Sequence, residues 1–252
     1  MTSQPEIVSF DDSIKAMEPL RQAVSAFGIE LADVQLDKYY TYYKEMVDWN
    51  QRVNLTGITE FQDVLTKHYL DSLSVSMALS DELKSNGSFI DVGTGAGFPG
   101  IPLCLAFPGM SGTLLDSTGK KTIFLEYIVE ILELNRLSVV KDRAETLALA
   151  PEHREAYDLV LGRGLAGMAA FAELTLPFAK VGGLVIAQKL TNSSEEIAAA
   201  SNAIELLGGE LKEVIQVAQK GLENRALVVV KKIMTTPMRY PRRPGSPSKN
   251  PL

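Results

Sequence analysis

Cysteine is almost missing from this chain of 252 residues, and Cys104 is the single copy. One cysteine excludes an internal disulfide, and in the apolar run around it the thiol reads as a small buried hydrophobe. Only two histidines, His68 and His153, stand beside it, too thin a ligand set for a metal centre, so no metal is expected. No apolar run approaches the roughly 20 residues of a membrane helix. The opening MTSQPEIVSFDDSIK lacks the basic-then-apolar plan of a secretory leader, and the chain is expected to be cytoplasmic. A histidine–acid pair fit for general base catalysis is missing too. His153 lies in the polar PEHREAY, read as a solvent-facing loop, and His68 shares an amphipathic segment with Asp71.

What is present suits a globular protein: 46% hydrophobic and 22% charged residues. The net charge is −6, but it is unevenly spread. Lys231, Lys232, Arg239, Arg242, Arg243 and Lys249 fall in residues 231–252 without an acid, so the preceding 230 residues carry −12. Such asymmetry fits a basic arm for phosphate contact or, more plainly, a solvated tail. The ending TTPMRYPRRPGSPSKNPL holds five prolines, so it is expected to be extended rather than helical. Arg239, Arg242 and Arg243 are then expected beside a ligand cleft, with Lys189 and Lys121 prolonging the strip. Alternatively the tail packs on the body and holds the sheet edge.

Residues 1–85 read as a helical cap. Leu36, Tyr39, Tyr40, Tyr43, Met46, Val47 and Asn50 share one face, and Val64, Leu65, His68, Tyr69, Ser72 and Leu73 repeat the period. From 86 to 234 the period changes. FIDV, GTLLD, SVVKD, YDLVLGR and GLVIAQK are short apolar runs, each followed by helix-compatible sequence. LKEVIQVA and RALVVVKK follow with only a short turn between them. The pattern predicts a Rossmann-like α/β sheet of about seven strands, mostly parallel, closing in an antiparallel hairpin. Residues 235–252 form the basic, proline-rich arm.

The first strand runs into FIDVGTGAGFPG, a strand-to-helix turn where backbone bends sharply and approaches a ligand closely. Gly95-Ala-Gly97-Phe-Pro-Gly100 fits a dinucleotide fingerprint, whereas Asp91-Val-Gly93-Thr-Gly95-Ala-Gly97 fits the turn of S-adenosylmethionine-dependent methyltransferases. Asp116 at the end of the second strand suits a ribose hydroxyl in either fold. Three features favour the methyltransferase. Asp91 stands where it reaches a cofactor ammonium or orients the turn, Asp142-Arg143-Ala144-Glu145 follows the third strand, and the sheet ends in a hairpin. An NAD-dependent oxidoreductase would need a hydride-transfer acid at the strand ends, and none is evident. A non-catalytic RNA-binding module on the same fold is a further alternative.

DVGTGAGFPGIPL, LLDSTGKK, WNQRVNLTGI, HYLDSL and the ending YPRRPG together resemble the RsmG family, also called glucose-inhibited division protein B, over most of residues 40–252. The resemblance implies a class I methyltransferase that uses S-adenosylmethionine to methylate N7 of a guanine in 16S ribosomal RNA, alone or within the small ribosomal subunit. It implies a cofactor site lined by Gly93, Phe98, Asp116, Ser117, Thr118, Ala144, Glu145 and Arg163. It also brings HYLDSL, hence His68, and Asn54 close to that site. The chain departs from the family pattern at GRGLA (Gly162 and Gly164 around Arg163) and at Lys189, followed here by Leu190. Both departures bear on substrate handling.

Individual residues read consistently with this. Guanine N7 carries a free lone pair, so its methylation needs alignment at about 3 Å rather than a base. No catalytic base is therefore expected, and Arg163, Lys189 and His68 are positioning candidates. Arg163 ends a strand on the ligand side of the sheet, and Lys189 does so on the next, as a candidate RNA contact. Lys120 and Lys121 open a helix. Pro99 suits its first position, and Phe98 is expected to lie across the cofactor as an apolar wall.

Overall fold

The computed structural model describes residues 9–252. Each apolar run named above is a strand: β1 (Ser88–Val92), β2 (Ser111–Asp116), β3 (Leu137–Lys141), β4 (Tyr157–Arg163), β5 (Ala179–Leu190), β6 (Gly209–Gln216) and β7 (Arg225–Lys232). They form one sheet in the order β3-β2-β1-β4-β5-β7-β6. β1 to β5 pair in parallel, while β7 runs antiparallel to both β5 and β6. The strand order runs outward from β1 to β3 and resumes with β4 on the other side of β1, and ligands of such sheets bind outside the carboxyl ends of the strands at that switch.

Strand alternation divides the core. Phe89, Leu114, Leu159, Ile186 and Val229 face one side, and Ile90, Leu115, Val160, Val185 and Val228 face the other. Both faces are covered, which is why the central strands read as continuous apolar runs.

The cap covers the first face. Ser9 caps α1 (Phe10–Val24), accepting from Asp12 N, and Met17, Leu20 and Val24 turn inward. In α2 (Asp33–Asn50) the buried stripe is Leu36, Tyr39, Tyr42 and Met46, while Tyr40 and Tyr43 are half-buried. That stripe is rotated from the expected face because two phenols need carbonyl partners. Tyr39 Oη donates to Pro102 O at 2.6 Å, and Tyr42 Oη donates to Ala96 O. The described residues of the cap, 9–85, share one continuous core with that sheet face.

The tail departs from the extended arm expected of it. Residues 246–249 form a short helix (Ser246–Lys249), and Tyr240 is buried against the second face. Arg154 donates to Thr236 O at 2.8 Å and to Tyr240 O at 3.0 Å. The Arg242 guanidinium grips Glu173, whose carboxylate is fully buried, at 2.6–3.1 Å through Nε and Nη2. Arg242 is therefore committed to holding the tail down and is not free for RNA phosphates. Of the two readings, the tail packs on the body.

Candidate functional site

The glycine turn leaves β1 at the switch point. Gly93, Gly95 and Gly97 all take positive φ, at 70°, 63° and 104°. The contrast between two of them is instructive. A Cβ on Gly97 would collide with Ile101 and the Tyr42 hydroxyl at 2.4 and 2.7 Å, so Gly97 serves packing. A Cβ on Gly95 would meet nothing nearer than Lys121 Nζ at 4.0 Å, so this left-handed residue faces open space.

Asp91 holds the turn from below. Fully buried, it accepts from Thr94 Oγ1 at 2.7 Å and from Gly100 N at 2.9 Å, at the start of the following helix. Burial pushes its carboxyl up to about 6. Both bonds use Oδ2, which orients the turn, while Oδ1 is buried without a partner among the described residues. Asp116 closes the other side, accepting from Gly95 N at 3.0 Å and Thr118 N at 2.8 Å. Pro99 stands one residue before the helix Gly100–Ala106 rather than in its first position.

Beyond Asp116 lies a pocket of about 190 Å³. Gly93, Asp116, Ser117, Ala144 and Glu145 line it, so the ends of β1, β2 and β3 bring together five of the eight residues named for the cofactor. Thr118 is exposed and does not line it. Two others lie elsewhere. Phe98 is buried, its ring stacked on His68 at 4.3 Å and tilted against Tyr42 at 5.4 Å. It is a wall of the cap interface, because aromatic partners from α2 and from residues 61–73 out-compete an open cleft for its ring.

Arg163 is the hub of that interface. Its Nη1 donates to Asp71 Oδ2 at 2.9 Å and to Lys67 O at 3.0 Å, and its guanidinium lies 5.1 Å from the centre of the Phe98 ring. Its Nη2 lies 3.2 Å from His68 Nδ1. A guanidinium only donates, so His68 Nδ1 is the acceptor and the ring proton sits on Nε2, which donates to Thr56 Oγ1 at 2.8 Å. Burial, then the neighbouring Arg163 charge, lowers the imidazole to about 3. His68 is a neutral, fully engaged ring. Asn54 is exposed, and the turn after α2 is held instead by Asn50 Oδ1, accepting from Leu55 N and Thr56 N. His153 is not a free loop residue, since its Nδ1 lies 2.6 Å from Tyr157 Oη.

A second cavity, about 510 Å³, opens at the ends of β4 and β5. His68, Arg163, Gln188, Lys189 and Arg225 are among its lining residues. Lys189 Nζ is paired with Glu196 at 2.7 Å and donates to Ala166 O at 2.8 Å, so its charge is partly spent. Arg225 was not singled out from sequence. Among the described residues its guanidinium is paired with Asp71 alone, through Nε at 3.4 Å, which leaves both terminal nitrogens without a partner. The GRGLA departure has packing reasons: a Cβ on Gly162 would meet Phe171 at 2.8 Å, and Gly164 takes φ +62°.

The arrangement sets a small pocket carrying Asp116, Asp142 and Glu145 beside a larger cavity carrying Arg163, Lys189 and Arg225 across the switch point. A family model described as rRNA small subunit methyltransferase G matches residues 35–228. Ribosomal RNA small subunit methyltransferase G of Dehalococcoides mccartyi (strain CBDB1) is 47% identical over 237 residues, covering 94% of this chain and 100% of that protein. The protein of that name in Acetivibrio thermocellus is 41% identical, covering 96% and 99%. A SAM-dependent methyltransferase from Aquifex aeolicus superposes with a TM-score of 0.52 at 19% identity, over 68% of this chain and 93% of that one. A variant of MtNAS in complex with S-adenosylmethionine gives 0.53 at 14%, over 91% and 94%. These two likenesses establish the fold.

Proposed function

The chain belongs to the rRNA small subunit methyltransferase G family, and from that premise we propose that it transfers a methyl group from S-adenosylmethionine to N7 of a guanine in 16S ribosomal RNA. The oxidoreductase alternative falls with the family assignment. The residues present fit the cofactor: Gly95 leaves an open left-handed cradle, and Asp116 and Glu145 offer acceptors to a nucleoside. Gly93, Asp116, Ser117, Ala144 and Glu145 would hold it, and when bound it supplies an electrophilic methyl on a sulfonium.

One observation carries the choice of atom. Among the described residues, no titratable group lining the β4–β5 cavity is a free base. His68 is neutral with both nitrogens engaged, Lys189 is paired with Glu196, and Glu196 also accepts from Met168 N. A nucleophile that must shed a proton has nowhere to put it. Guanine N7 brings its own lone pair, and the adjacent O6 is an acceptor that suits arginine, whereas adenine presents a donor there. Arg225 supplies unpartnered donors at the cavity. Methylated N7 makes the base cationic, which this lining repels, so product is favoured to leave.

Incubating undermethylated small subunits or their RNA with radiolabelled cofactor and hydrolysing to nucleosides tests this reading. Label in 7-methylguanosine is expected. Label in another nucleoside overturns the choice of atom, and RNA binding without transfer identifies a non-catalytic module.

A further inference from the structure

The C-terminal strap reaches the cofactor pocket. Gly245 and Ser248 line the same 190 Å³ cavity as Asp116 and Glu145. Gly245 N donates to Glu145 Oε1 at 2.7 Å, the only hydrogen bond to this carboxylate among the described residues. Glu145 is nearly buried, so its second oxygen is steered while its first is tied to the strap. The Ser248 hydroxyl is exposed at the rim and has no partner among the described residues. Upstream, the strap is fixed by Arg242 on buried Glu173, a bond repeated by Arg242 N to Glu173 Oε1 at 2.7 Å.

We infer that this strap is a structural part of the cofactor site: Gly245 positions the Glu145 carboxylate and Ser248 borders the base of the bound nucleoside. The inference rests on the reading of this pocket as the S-adenosylmethionine site. Its physical basis is preorganisation. A carboxylate already held by one donor presents its remaining acceptor without losing rotamer freedom on binding. The end that takes the base is set by Asp116, since an acid at that strand end suits the ribose and the pocket continues past it.

The test compares Ser248→Trp with Lys249→Trp by calorimetric titration with S-adenosylmethionine, alongside thermal melting without ligand. Ser248→Trp should weaken binding at least tenfold with an unchanged melting temperature. Lys249→Trp, one residue on and outside the pocket, should bind as the wild type does. Equal affinity for Ser248→Trp and wild type overturns the strap, while a wild-type chain that does not bind the cofactor overturns the pocket assignment itself. Should Ser248→Trp fail to fold, hydrogen exchange on the wild type replaces it. Amides of residues 243–250 should slow at least fivefold when the cofactor is added, and no change contradicts the strap.

Discussion

The two ends of the switch-point crevice are built by different means. On the side of β1, β2 and β3 the surface is made of backbone and acids: a left-handed Gly95, Asp116 bonded to two turn amides, and Glu145. On the side of β4, β5 and β7 it is made of long cationic side chains braced by buried partners, with Asp71 between Arg163 and Arg225. Backbone surfaces are set by local sequence and vary little. Side-chain surfaces depend on where distant segments land. A cofactor of fixed shape suits the first kind, and a polyanion suits the second.

If that division is sound, damage to one end should leave the other's ligand alone. The largest effect is expected at the turn. Gly95→Asp places a side chain in the open cradle and should weaken S-adenosylmethionine binding by more than about 100-fold, with a cost to stability of only about 1–2 kcal/mol for the left-handed backbone. Calorimetry and melting on the same sample decide it, and intact affinity would mean that the cofactor lies elsewhere.

Next in size is the tail. Arg242→Ala leaves the Glu173 carboxylate buried without its charge partner and should cost about 3 kcal/mol, or roughly 6–12 °C in Tm. If Arg242 is structural, the salt dependence of RNA binding should not change. A flatter dependence of log affinity on log salt would show a lost phosphate contact instead.

A smaller and graded effect belongs to His68. Its folded value of about 3 lies below the ordinary 6.5, so the unfolded chain takes up a proton that the folded one refuses. This contribution to stability is complete above 6.5 and is lost as pH falls toward 3, by up to about 1.4 kcal/mol per unit. Denaturation between pH 6.5 and 4 should therefore be steeper for wild type than for His68→Asn. Equal slopes would show that the imidazole is not held neutral.

The same division explains what was legible in the sequence. All seven strands and the glycine turn follow from contiguous patterns, because hydrophobic period and left-handed glycines are local properties. The ring contacts of Phe98 were not legible, because His68 and Tyr42 come from other segments. Arg242 resembled an RNA contact because a charge count does not reveal that Glu173, 69 residues earlier, lies buried beneath it. Arg225 went unnoticed for a similar reason. It reaches the cavity through the antiparallel register that sets it opposite Leu190 on β5, and sequence period does not specify register between strands.

Arg225→Ala tests the division most directly, with cofactor Kd and kcat/KM for RNA measured on one preparation. The cofactor Kd should stay within about twofold of wild type while kcat/KM for RNA falls roughly 10- to 100-fold, the worth of a good arginine contact to guanine. A cofactor Kd that weakens in step with transfer, or transfer that is unchanged, would contradict the account.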